Sequence, residues 1–170
     1  YSFPGGNTGV QMGGWFRKEI KSLEDLKGLK MRIPGFAGEI FPQLGVAVTN
    51  IPPGELYTSL DRGTIDALEW VGPALDLKMG FQKIAPYYYT GWHEPASELQ
   101  FMVNRKAFDE LPVHLQEILK TAMKAETLDS YARMFNVNAV NFAAIRTDYP
   151  EVKIKTFAPE ILDAMKVKMV

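Results

Sequence analysis

The chain has 170 residues, 46% hydrophobic and 23% charged, which fits one ordinary folded domain and excludes a disordered chain. With 19 Lys and Arg against 20 Asp and Glu, the net charge is −1, so no excess of charge draws the surface to nucleic acid or anionic lipid. Cysteine is absent, and with it disulfides, thiolate nucleophiles and zinc–thiolate sites.

The elements read in chain order as short strands alternating with helices. Ser22 caps a helix through Leu26, with Asp25 in the capping-box position and Gly28 as its exit. Leu29–Ile33 is a strand ended by Pro34-Gly35, and a helix over Ala37–Leu44 leaves at Gly45. The second strand is Val46–Ile51. Pro52-Pro53-Gly54 opens a helix carrying Leu56, Tyr57 and Leu60, and Ile65–Trp70 is a third strand. Gly72-Pro73 starts a helix reaching Met79, and Leu99–Asn104 is a strand preceded by the aromatics Tyr87, Tyr88, Tyr89 and Trp92. Such alternation predicts an α/β fold with a parallel, doubly wound sheet, in which ligands sit beyond the carboxyl ends of the strands. Arg32 and Trp70 lie near those ends.

From Val113 to Thr147 one helical pattern runs without glycine or proline. Leu115, Ile118, Leu119, Ala122, Met123, Tyr131, Phe135, Phe142 and Ile145 form its apolar stripe, which reads as core. Roughly 50 Å of helix exceeds a compact domain whose radius of gyration is about 15 Å, so it must bridge two lobes or project from one. Val152–Thr156 reads as a last strand, and Pro159 opens a helix through Ile161, Leu162, Met165 and Met169 that runs to Val170. The chain begins with Tyr1 rather than Met, and this last pattern has no exit residue, so a piece of a longer protein is expected. No apolar run approaches the ~18 residues of a membrane span.

Few residues carry chemistry. Arg32 at a strand end is a surface ion pair or a carboxylate clamp, since a guanidinium offers two parallel donors. Glu69-Trp70 closes an apolar strand and is either a paired core acid or a ligand contact. His93-Glu94 is a weak acid–base candidate, because neighbours on an extended chain point to opposite sides. His93 and His114 share no metal-ligand spacing. The tyrosine triplet reads as packing, for no basic groove accompanies it. Gly5-Gly6 and Gly13-Gly14 precede no phosphate-binding helix, so a nucleotide site is not expected.

The run Ser22–Gly35 (SLEDLKGLKMRIPG) resembles the central motif of the periplasmic solute-binding proteins of TRAP transporters. Leu44-Gly45, Ile51-Pro52, Glu55–Leu60 and Gly63–Asp66 extend the resemblance over the whole chain. It implies a periplasmic receptor that hands small organic acids to the membrane subunits of a tripartite, ion-driven transporter. It also implies periplasmic-binding-protein-like lobes, a mixed, largely parallel sheet and a long hinge-spanning helix. Gly6–Gln11 and Glu69–Pro73 resemble the branch that takes 2-oxo or 2-hydroxy monocarboxylates together with a metal ion. On that resemblance Arg32 clamps the ligand carboxylate, with Gln11 and Trp70 also against the ligand. Gln11, Glu69, Trp70 and Glu94 surround the cation. Oxygen donors favour a hard cation, sodium or calcium, and no soft ligand is present.

Family members are about twice this length. The expected division is therefore residues 1–70 and 97–112 in the second lobe, 71–96 as an excursion into the first, 113–147 as the spanning helix, and 148–170 as a closing strand and helix, with an N-terminal half missing. The exposed part of the long helix is then expected to associate with a second copy. A competing reading is a metal-assisted lyase or hydrolase acting on an oxo acid, with Arg32 binding and Glu94 as base. The sequence offers no convincing acid–base pair for it, so a receptor without catalysis is expected.

Overall fold

A computed structural model describes residues 1–169. Among the described residues eight strands and six α-helices follow one another: β1 (Ser2–Asn7), β2 (Met12–Phe16), β3 (Lys30–Arg32), α1 (Gly35–Ile40), β4 (Ala47–Thr49), α2 (Leu56–Asp61), β5 (Ala67–Leu68), α3 (Pro73–Met79), β6 (Tyr87–Thr90), β7 (Glu98–Met102), α4 (Arg105–Asp109), α5 (Val113–Asp148), β8 (Lys153–Lys155) and α6 (Pro159–Val167). The segment expected as a helix over Ser22–Leu26 is a single 3-10 turn, in which the Asp25 carboxylate accepts the Ser22 amide at 2.9 Å. Val170, where the last helix was expected to end, lies outside the described residues.

Six strands form one sheet in the order β4-β3-β5-β2-β6-β8. The β3–β4, β3–β5 and β6–β8 pairs are parallel, as alternating strands and helices predict. β2 breaks the pattern, running antiparallel to both β5 and β6, so the sheet is mixed and largely parallel rather than purely doubly wound. Gly14 makes this centre possible. Its φ is +113°, and a Cβ there would strike the Leu68 carbonyl oxygen. The double glycine that resembled no nucleotide loop therefore serves close strand approach.

Two cores follow from the period of two along each strand. Phe16, Ala67 and Tyr89 face one side, with Met31, Phe41, Phe157 and Ile161 packed beneath them. Their sequence neighbours Trp15, Leu68 and Tyr88 face the other, against Leu56, Leu60, Phe81 and Ile145. Trp15 and Tyr88 stack with ring centroids 4.0 Å apart, and both are fully buried. The tyrosine triplet is thus a core strand.

The strand pairings show how the segments group in this structure. Residues 71–96 do not leave the body built by residues 12–70, because β6 is an interior strand of the same sheet. Residues 97–112 do leave it: β7 pairs antiparallel with β1 in a separate two-stranded sheet. This small sheet packs along α5, where Thr127 Oγ1 donates to the Pro4 carbonyl at 2.7 Å. Residues 1–7 and 97–112 therefore group together, and the chain crosses between the two sheets at Thr8 and Ser97, whose backbones are hydrogen-bonded at 3.0 Å.

The long helix forms over 36 residues, close to the expected span. Only part of its stripe is core, however. Met123, Asn138 and Ile145 are its buried residues, whereas Ile118, Tyr131 and Phe135 are 59%, 45% and 61% exposed. Helical period marks a face for burial but does not say what covers it.

Candidate functional site

The carboxyl ends of β3 and β5 lie side by side, and the Glu69 amide donates to the Arg32 carbonyl at 2.9 Å. Next to them opens a cavity of about 600 Å³ lined by Gln11, Pro34, Phe36, Glu69, Trp70, His93 and Glu94. Thr8, Ser97, Ser130 and Met134 line its other side, so both sheets and α5 contribute walls. Gly91 lets the chain bearing His93 and Glu94 pass close to β2, since a Cβ there would strike the Gln11 carbonyl oxygen.

Gln11 stands at the centre. Its Nε2 donates to Glu69 Oε1 and to the Trp70 carbonyl, the latter at 3.3 Å. Glu69 is 3% exposed, and its Oε2 lies 3.8 Å from Arg32 Nη1. Burial pushes its carboxyl up to about 8; Arg32 opposes this, while Asp76 and Glu94 add to it. Glu94 is half-exposed and lies 3.6 Å from His93 Nε2. Neighbours diverge on an extended chain, but here the backbone bends at His93 and Pro95 and brings the two side chains together. The imidazole is buried with Nδ1 unpaired, and burial lowers its pKa.

Arg32 differs from the expected picture of a residue open to ligand. It is 6% exposed and does not line the cavity. Nη1 donates to the Glu69 carbonyl at 2.6 Å, and the guanidinium carbon lies 5.4 Å from the centre of the Trp70 ring. Its Nε is buried with no partner. A buried donor left unmade costs about 1–3 kcal/mol, which makes this atom a candidate for a ligand oxygen.

Among the described residues no three His, Asp or Glu side chains cluster as metal ligands. A cation here would have Glu69 and Glu94 as charged donors, completed by the Trp70 carbonyl and the Gln11 amide oxygen. That set fits a hard cation. The Gln11 amide nitrogen bridges two of those oxygens; turned by half a rotation, the same side chain presents oxygen instead.

Two polar residues escaped the sequence reading. Asp76 is completely buried in α3, and burial raises its carboxyl to about 6 against the hydrogen bonds from Tyr88, Val71 and Trp15. Asn138 of α5 donates to the Thr8 carbonyl at 2.8 Å and accepts the Ala74 amide at 2.9 Å, tying the helix to both edges of the site. The readable signal was position: Asn138 falls on the stripe between Phe135 and Phe142, where an apolar residue belongs.

The raised Glu69 carboxyl has a consequence for stability. In the cation-free protein it holds a proton that the unfolded chain releases above its ordinary value of 4.5, so the folded state binds more protons through that window. This contribution is full below pH 4.5 and is lost as pH rises through about 8; Asp76 acts in the same sense between 3.8 and about 6. Urea titrations at about pH 5 and about pH 8.5 should therefore show stability falling with pH, with a smaller fall in Glu69→Gln. An equal fall in the variant contradicts the assignment.

A mixed, largely parallel sheet with a cavity of apolar walls and a few convergent polar groups at its strand ends has the form of an α/β ligand-binding lobe. The chain belongs to the bacterial extracellular solute-binding protein family 7, whose model matches residues 2–170. A monocarboxylate 2-oxoacid-binding periplasmic protein of Nostoc sp. is 50% identical over 166 residues, which are 96% of this chain and 44% of that protein. A TRAP periplasmic solute-binding protein of Colwellia psychrerythraea, solved with bound calcium and pyruvate, is 63% identical with a TM-score of 0.95; the match covers 99% of this chain and 51% of that one. Another, from Pseudoalteromonas atlantica with bound sodium and pyruvate, is 65% identical with a TM-score of 0.93 over 99% and 51% of the two chains. This chain thus spans about half the length of the relatives it matches. Their fold is the one the resemblance implied.

Proposed function

We propose that the protein is a periplasmic receptor of a TRAP transporter, capturing a 2-oxo or 2-hydroxy monocarboxylate with sodium or calcium and passing it to the membrane subunits. The observation that carries this reading is the Gln11 amide set between the Glu69 carboxylate and the Trp70 carbonyl, in the wall of a cavity large enough for a small acid. Glu69, Glu94, the Trp70 carbonyl and Gln11 hold the cation. The Trp70 ring lines the acid's space, and Arg32, buried against that ring, offers its unpartnered Nε to the carboxylate. The bound cation supplies positive charge next to a second anion, so acid and cation enter together. The relatives it matches are about twice this length, and we read the cavity as one wall of a cleft between lobes.

No catalytic step belongs to this reading. The test is a thermal-shift and calorimetric series on the full-length protein with pyruvate and lactate, each with calcium, with sodium and with neither. Binding of pyruvate that requires a cation is expected. Consumption of pyruvate during incubation would overturn the receptor in favour of the lyase or hydrolase, for which His93 beside Glu94 is the one candidate pair.

A further inference from the structure

We infer that Asp76 is a positioning residue for the cation, acting through the peptide unit that joins Trp70 to Val71. The inference rests on the cation-and-acid reading and deepens it.

Asp76 lies in the first turn of α3 and is completely buried, yet it touches neither cavity nor solvent. Its two oxygens have different partners. Oδ2 accepts Trp15 Nε1 at 3.1 Å and the Tyr88 hydroxyl at 2.9 Å. Those rings are stacked in the core and fully buried, so this oxygen is anchored. Oδ1 accepts the Val71 amide at 3.0 Å.

The Val71 N–H and the Trp70 carbonyl belong to one planar trans peptide unit, so they point in opposite directions. Holding the N–H towards Asp76 aims the carbonyl away from it, to where it accepts Gln11 Nε2 at 3.3 Å. The next carbonyl, that of Val71, is taken by the Met12 amide at 2.7 Å, which removes the remaining freedom of the segment. Direction is half of the effect. A carboxylate on the N–H end polarises the whole unit, and hydrogen bonds in series strengthen one another in a low-dielectric interior. The Trp70 oxygen thereby carries more negative charge than an ordinary peptide oxygen. A cation on it feels a carboxylate that it never touches, much as outer carboxylates tune the histidines of metal centres.

The separate duties of the two oxygens provide the test, by calcium titration of the full-length protein in the presence of pyruvate. Asp76→Asn should weaken calcium about 10–100-fold, the usual loss when a group behind a metal ligand is changed. Tyr88→Phe removes a donor from Oδ2 and leaves the bond to Val71; it should lower the melting temperature and keep calcium affinity near that of the wild type. Calcium affinity that follows melting temperature across both variants would reduce Asp76 to a packing role and overturn the inference. If Asp76→Asn does not fold, the wild type reports the same link. Calcium on the Trp70 oxygen makes the Val71 N–H a stronger donor, so its proton resonance should move downfield on adding calcium with pyruvate. A Val71 resonance that ignores calcium overturns the inference. The two levels separate cleanly: a wild type that binds pyruvate without regard to any cation removes the underlying reading and this one with it. Cation-dependent binding left unchanged by Asp76→Asn removes this one alone.

Discussion

Replacing Arg32 is expected to abolish useful acid capture, weakening pyruvate by about 30-fold to several thousandfold, the equivalent of roughly 2–5 kcal/mol for breaking a buried charged pair. Lysine should not rescue it. The guanidinium already commits Nη1 to the Glu69 carbonyl at 2.6 Å, and its buried Nε is the donor still unmade. A lysine ammonium is a single point that cannot serve both directions. Arg32 also lies over the Trp70 ring, 5.4 Å from its centre, so a carboxylate on the guanidinium changes that ring's surroundings. Tryptophan emission should change when pyruvate binds to the wild type. Calorimetry on Arg32→Lys decides the matter: near-native pyruvate affinity sinks the clamp. Melting curves run beside it separate lost binding from lost stability, since the residue is 6% exposed and part of the site's own scaffold.

The second large effect concerns the cation. Glu69→Gln should weaken calcium by about two orders of magnitude, because ligand charge sets the affinity of oxygen sites and Glu69 is the buried one of two carboxylates here. By linkage, pyruvate must weaken in the same measure as its coupling to the cation, typically about 5–150-fold, and chelation of the wild type should reproduce that loss. A proton is involved as well. With its carboxyl pushed up to about 8 by burial, Glu69 is mostly protonated in the cation-free protein near neutral pH, and a cation needs the ionised form. Calcium binding at pH 7 should therefore release a proton, and its affinity should rise with pH until about 8. Calorimetry in two buffers of different ionisation heat measures that release. Identical apparent heats in both buffers, or pyruvate affinity indifferent to chelator, would reject Glu69 as a ligand.

The sequence by itself determined the local elements. Helix caps, proline and glycine breaks and the period of the apolar residues are written within a few neighbours, so the elements from β3 to α3, then β7, α5 with its length, β8 and α6 could be read directly, whereas β1, β2, β6 and α4 could not. Arg32 and Glu69-Trp70 could be placed at strand ends for the same reason. Tertiary structure alone decided the pairings and the environments. Nothing near Met12–Phe16 says that it inserts antiparallel between β5 and β6, or that β7 leaves the main sheet for β1, because such pairings join segments tens of residues apart. The same holds for charge. Whether Arg32 faces solvent or lies behind a tryptophan, and whether Asp76 is a helix-start acid or a buried lever on a peptide unit, depends on side chains far away in the chain. Local sequence sets backbone periodicity, whereas solvation and hydrogen-bond partners are properties of the assembled interior.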